Sequence, residues 1–188
     1  KECMDTMSDL LLRFGHLLES DYEAIMQVTA SLLSSNRTMI SKRAGNCLSS
    51  LSLVASEDLL HKLVIMLLGC IEEQHGRNSH YTRTLVQTLG SISRTVGHRL
   101  HKHLERLVPL FIKICGLPSD EDSQTAEVDE LRECCLFGLE SIILRCSYEL
   151  TDYFPTIIEL CDGFIQYDPN YSYDDEDEND TNDMEGDE

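Results

Sequence analysis

Leu85-Val86-Gln87-Thr88-Leu89-Gly90-Ser91-Ile92-Ser93-Arg94-Thr95-Val96 decides how this chain is read. Its apolar residues fall at 85, 86, 89, 92 and 96, the three-to-four spacing of a helix with one buried stripe. The tetrad Leu89-Gly90-Ser91-Ile92 within it recurs as Met7-Ser8-Asp9-Leu10, Leu48-Ser49-Ser50-Leu51 and Leu139-Glu140-Ser141-Ile142. Starts at 7, 48, 89 and 139 give steps of 41, 41 and 50 residues. Lys1, Lys42 and Arg83 stand six positions before the first three tetrads, and Arg132 seven before the fourth. Eight positions after each start comes a small residue: Gly15, Ser56, Gly97 and Ser147.

A period in the low forties filled by two helices is the mark of a HEAT or armadillo solenoid, in which each repeat buries its apolar face against its neighbours. The pattern predicts an all-α, right-handed superhelical HEAT-repeat array of about four and a half repeats over 1–167, then a disordered acidic segment over 168–188. Residues 1–15 read as the second helix of a repeat that begins upstream, so the chain is expected to be part of a longer protein. Helix pairs follow at 21–34 with 38–55, 57–74 with 80–96, and 99–116 with 127–146; a further first helix covers 151–166. Ser34-Ser35-Asn36 breaks the first pair, because Ser and Asn compete for helical hydrogen bonds. Ser56-Glu57-Asp58 reads as an N-terminal cap with acidic residues in the first turn. The segment from Pro118 to Ala126 absorbs most of the longer last step. Pro109 and Pro155 fall well inside their helices, which predicts a recurring kink in the first helices.

Composition narrows the function. The net charge is −19, and 168–188 hold eleven carboxylates with no Lys or Arg, leaving −8 for 1–167. A duplex nucleic-acid partner needs clustered cations that this balance does not supply, whereas basic protein partners suit it. Ten carboxylates among the fifteen residues 174–188, with no aliphatic or aromatic residue, cannot offset the entropy of ordering. The longest apolar run, Leu63 to Ile71, is too short for a membrane span. Cys115, Cys134, Cys135, Cys146 and Cys161 lie on apolar stripes, where cysteine packs as a small hydrophobe. With no CxxC pair and no secretory signal, the thiols are expected reduced, in the cytoplasm and nucleus.

No GxSxG, Walker loop, HExxH or dinucleotide fingerprint is present, and Cys134 and Cys135 on an apolar stripe are poor nucleophiles. The chain therefore reads as non-enzymatic, without cofactor. His98, His101 and His103 invite a zinc site, but His101 and His103 would diverge by about 200° on a helix. Two basic groups remain for partner binding. Arg94, His98, Arg99, Lys102 and Arg106 form the densest cluster. Lys42, Arg43, Arg83 and Arg132, at the starts of second helices, form a ladder one repeat apart: a binding rail, or a set of pairs with neighbouring carboxylates such as Glu130.

Three stretches carry a resemblance: Ile92-Ser93-Arg94-Thr95-Val96-Gly97-His98-Arg99-Leu100; Asp129-Glu130-Leu131-Arg132-Glu133 with Glu140-Ser141 and Arg145-Cys146; and Tyr167-Asp168-Pro169-Asn170-Tyr171-Ser172-Tyr173-Asp174-Asp175-Glu176-Asp177-Glu178. In this order and spacing they resemble the cullin-associated, neddylation-dissociated proteins, long all-HEAT regulators also called the TATA-binding-protein-interacting family. The resemblance covers nearly the whole chain and ends at the acidic insertion in that family's N-terminal arm. It implies a scaffold that wraps unmodified cullin–RING ubiquitin ligases and promotes substrate-receptor exchange. Its partners would be the cullin C-terminal region and the RING subunit, and the adaptor-competing C-terminal arm would lie elsewhere. The alternative from another class is an acidic chaperone or transcription-factor-binding HEAT module, in which the acidic segment mimics nucleic acid.

Overall fold

A computed structural model describes residues 2–74, 79–117 and 126–166. The expected loop 118–125, the acidic segment 168–188 and Lys1 lie outside the described residues. Eight α-helices run through the rest: α1 (Glu2–Phe14), α2 (Tyr22–Ser31), α3 (Thr38–Val54), α4 (Glu57–Gln74), α5 (Ser79–Val96), α6 (Leu104–Cys115), α7 (Ala126–Arg145) and α8 (Phe154–Gln166). Short 3₁₀ turns link several of them, and no strand occurs among the described residues. Helices α1, α3, α5 and α7 pack side by side in chain order, while α2, α4 and α6 lie on α3, α5 and α7. That is the all-α HEAT-repeat solenoid the period predicts, with the second helices forming one continuous layer.

The core follows the tetrads. Leu48, Leu51, Leu89, Ile92, Leu139 and Ile142 are all buried, each pair of positions facing the first helices and the next repeat. In α1 the equivalent Met7 is half-buried and Leu10 exposed, since α3 covers only one side of that helix. Most stabilisation therefore comes from aliphatic burial, about 25 cal/mol per Å² removed from water.

The small residues of the repeat stand at the joints between repeats. A Cβ on Gly97 would lie 2.5 Å from the Arg145 Cβ, and one on Gly15 would lie 3.0 Å from Val54 Cγ1. At these points the chain leaves a second helix while the end of the next second helix crosses against it, so only a missing side chain fits. Ser56 occupies the same place in its repeat, and its Oγ accepts the Leu59 N–H at 3.3 Å, capping α4 as expected.

Three expectations need correction. The helix expected over 99–116 begins at Leu104; before it the chain makes two 3₁₀ turns, Gly97–Arg99 and His101–His103. Likewise Ser147–Tyr153 is a 3₁₀ segment, and α8 starts only at Phe154. Pro155 is thus the second residue of α8, where its missing N–H would have had no intrahelical acceptor, and not an interior proline. Pro109 stays inside α6, one turn further on. Finally, Cys161 is exposed, not in the core. Helix α8 buries Ile157 and Leu160, while Phe154, Ile158, Cys161 and Ile165 lie on its uncovered side.

Candidate partner-binding face

The second-helix layer carries a groove of about 400 Å³ with α5 as its floor and α3 and α7 as its walls. Lys42, Gly45 and Asn46 line the α3 wall; Thr84, Gln87, Thr88 and Ser91 the floor; Glu133, Cys134 and Phe137 the α7 wall. A second hollow of about 310 Å³ shares Lys42, Thr84, Gln87, Glu133 and Cys134 and extends toward the helix starts at Thr38, His80, Arg83 and Glu130. The groove exists because short side chains meet there. Gly45 approaches Thr88 so closely that a Cβ would come 2.7 Å from its Oγ1, and Gly90 faces the Gly138 backbone. Thr84 and Thr88 turn their hydroxyls back onto the carbonyls of His80 and Thr84, at 3.0 Å and 2.7 Å. That satisfies their donors, and the groove gains methyls and oxygen lone pairs instead.

Cys134 sits in the α7 wall, with the Gln87 Nε2–H directed at its sulfur at 3.2 Å. Burial pushes its thiol above the ordinary range, outweighing that hydrogen bond and the Arg83 and Lys42 charges, which act the other way. A thiol shifted in this direction is a poor nucleophile near neutral pH. The opposing walls of the groove differ in charge: Lys42 is exposed on α3 and Glu133 on α7, and neither makes an ion pair among the described residues.

The ladder residues have diverse surroundings. Arg43 pairs with Asp5 of α1 and Arg83 with Glu130 of α7, so each joins neighbouring second helices. Arg132 is only 6% exposed; its Nε–H donates to the Cys115 carbonyl at 3.4 Å, its guanidinium lies 3.6 Å from Asp129, and the Phe164 ring sits 6.0 Å away. Of these four, Lys42 lines both hollows and makes no ion pair among the described residues, whereas Arg83 lines the second hollow while paired with Glu130.

The cluster at 94–106 divides the same way. Arg99 is a structural staple: its Nη1 and Nη2 donate to the Ser52 and Ala55 carbonyls at 2.9 Å and 2.7 Å, and its Nε donates to Glu57 Oε1 at 2.6 Å. Those carbonyls belong to the end of α3, whose last turn has no helical donors of its own. The same contact holds the Glu57 carboxyl below its usual range. Arg106 donates to both carboxylate oxygens of Glu72, at 2.9 Å and 3.1 Å. Arg94 lies 4.8 Å over the Phe137 ring, at the far end of the groove from Lys42. His98 and Lys102 are exposed on the turns.

Gln87, Thr88, Glu133 and Phe137 were missed by sequence reasoning. For Gln87 and Thr88 a signal was present, since Thr84, Gln87, Thr88 and Ser91 form a polar stripe at helical spacing beside the apolar one. It carries no charge and so drew no attention. Among the described residues no group of three or more His, Cys, Asp or Glu could hold a metal ion, and His103 turns inward while His101 stays exposed.

No family model matches the chain. Relatives do. Cullin-associated NEDD8-dissociated protein 1 of Dictyostelium discoideum is 35% identical over 176 residues, covering 94% of this chain and 14% of the relative. The Drosophila melanogaster protein 1 is 36% identical over 176 residues, 94% of the chain and 13% of its own length. Cullin-associated NEDD8-dissociated protein 2 of Mus musculus is 35% identical over 177 residues, again 94% and 14%. The chain spans about a seventh of the curated relatives it matches, and on sequence similarity across nearly its whole length it belongs to the cullin-associated NEDD8-dissociated protein family.

Proposed function

We propose that this chain is a non-enzymatic binding segment of a cullin regulator, and that the groove across α3, α5 and α7 contacts the cullin–RING scaffold. The carrying observation is the groove itself: a hollow on the second-helix layer floored by Thr84, Gln87, Thr88 and Ser91, with Lys42 and Glu133 on opposite walls and in no ion pair among the described residues. The relatives' names supply the partner class, because each is described as cullin-associated. In the longer protein this contact would hold the cullin C-terminal region and the RING subunit of an unmodified ligase and so assist substrate-receptor exchange. The eight cysteines, none of them in a disulfide, suit the reducing cytoplasm and nucleus, where we place the protein's action.

The test is capture of a purified cullin–RING complex by the 188-residue chain, with and without NEDD8 on the cullin. Preference for the unmodified complex, reduced by Lys42→Glu and by Glu133→Lys, supports the proposal. Equal capture of both forms, or none, overturns it. Deleting 171–188 should leave capture intact; loss of capture would favour an acidic chaperone acting through that segment.

A further inference from the structure

One titratable pair lies outside the groove. The imidazole rings of His61 and His103 stack with centroids 5.0 Å apart and a 31° tilt. His61 is on α4, and His103 closes the 3₁₀ turn His101–His103 that leads into α6. The stack therefore bridges two successive helix pairs, α4 with α5 and α6 with α7. His103 is 6% exposed, while His61 lies on the surface side of the contact.

The groups that act on the His103 ring are His61 from α4, Arg106 from α6, and His101 and Lys102 from its own turn; all are basic. No carboxylate among the described residues acts on the ring: Glu57 and Glu72 of α4 pair with Arg99 and Arg106, and Glu105 of α6 is exposed. We propose that the His61–His103 stack is a pH-responsive joint between repeats: neutral rings close α4 against the entry to α6, and protonation of His103 parts them. A neutral imidazole can be buried against another at little cost. An imidazolium there loses its hydration and faces four basic neighbours, with no carboxylate among the described residues to receive it.

Burial first, then those cations, push the His103 pKa below its ordinary value. The sign follows. The opened joint binds a proton as pH falls through about 6.5, the usual histidine value, whereas the closed joint does so only at lower pH. Stability of the closed joint is then complete above that range and lost below it, with the opening constant rising by at most about tenfold per pH unit for one proton. Because α4 carries α5 and α6 carries α7, opening this joint changes how α5 meets α7. It therefore alters the groove without touching a residue that lines it.

Two measurements on the 188-residue chain decide the matter. Ring titration by NMR with ¹³C-labelled histidine should give His103 an apparent pKa below that of the exposed histidines. Protection factors in α4 and the first turns of α6, the exchange rates corrected for the intrinsic rate at each pH, should fall severalfold from pH 7.5 to 5.5 in the wild type, and His103→Phe should flatten that dependence. A His103 ring that titrates at or above the ordinary value overturns the proposal, as does unchanged pH dependence in His103→Phe. If His103→Phe does not fold, the wild-type titration decides alone.

Discussion

Replacing Arg99 is the sharpest test of how this array is held together, because the residue looks like a surface cation and behaves like a joint. Its guanidinium joins the turn after α5 to the end of α3, donating to the Ser52 and Ala55 carbonyls. Hydrogen bonds from a charged donor contribute more than neutral ones, and removing the donor strands two helix-end carbonyls in a half-buried site. Taking about 1–1.5 kcal/mol for each, Arg99→Ala should cost roughly 2–3 kcal/mol. Arg99→Lys, a single point charge without the planar fork, should recover less than half of that loss. The exposed Glu57 contact adds a pH signature without being counted in the sum. With its carboxyl held below the ordinary value, its contribution is present at neutral pH and fades as pH falls below about 4.5. Urea unfolding of wild type, Arg99→Ala, Arg99→Lys and Lys102→Ala gives the answer, with amide exchange in the last turn of α3 as the local readout. If Arg99→Ala lies within about 0.5 kcal/mol of wild type, or Lys102→Ala costs as much, the staple reading is wrong.

Other positions give independent checks. Leu89→Ala should cost about 2–5 kcal/mol, since the side chain is fully buried where α5 meets its neighbours, while Ser91→Ala on the groove floor should stay within about 0.5 kcal/mol; equilibrium unfolding compares them. Gly97→Ala should destabilise by roughly 1–3 kcal/mol because the new methyl meets the Arg145 Cβ, and a neutral result would show that α7 can move aside. Native alkylation should modify Cys3 and Cys161 first and leave Cys47, Cys115 and Cys135 until unfolding. Burial lifts the Cys115 thiol to about 11 and the Cys135 thiol higher still, so raising the pH to 9 should not open them; mass spectrometry of labelled peptides reads the order.

The fold was legible because a solenoid writes its packing into the sequence at a fixed interval. Leu48, Leu89 and Leu139 meet equivalent surroundings in successive repeats, so the same residue type recurs at each. Gly15 and Gly97 mark the joints for the same reason. The irregular parts were hidden. Nothing in His98-Arg99-Leu100-His101-Lys102-His103 distinguishes a helix start from two 3₁₀ turns, since the choice rests on Arg99 reaching back to α3 and on His103 packing against His61. At α8 the sequence offers two apolar stripes, and burial selects Ile157 and Leu160 because α8 is covered on one side only. Cys161 belongs to the other stripe.

The candidate site was legible in charge but not in shape, and the reason bears on how such arrays bind. A ladder of cations at the starts of second helices admits two uses, and the structure divides them by reach. Arg43 and Arg83 find carboxylates on the adjoining second helix and tie the repeats together, while Arg132 is drawn into the interior. Lys42 remains at the groove, opposite Glu133, where glycine and threonine leave the hollow between the walls unfilled. On the proposed reading, partner contact in this layer falls in the gaps that the pairing leaves, and those gaps are set by uncharged residues. Exchanging the two wall charges, Lys42→Glu with Glu133→Lys, preserves net charge and leaves the repeat-tying pairs intact. Captured partner should still be lost if the groove reads the order of its charges. Undiminished capture by the swapped chain, with unfolding midpoints equal to wild type, would move the contact to another face of the array.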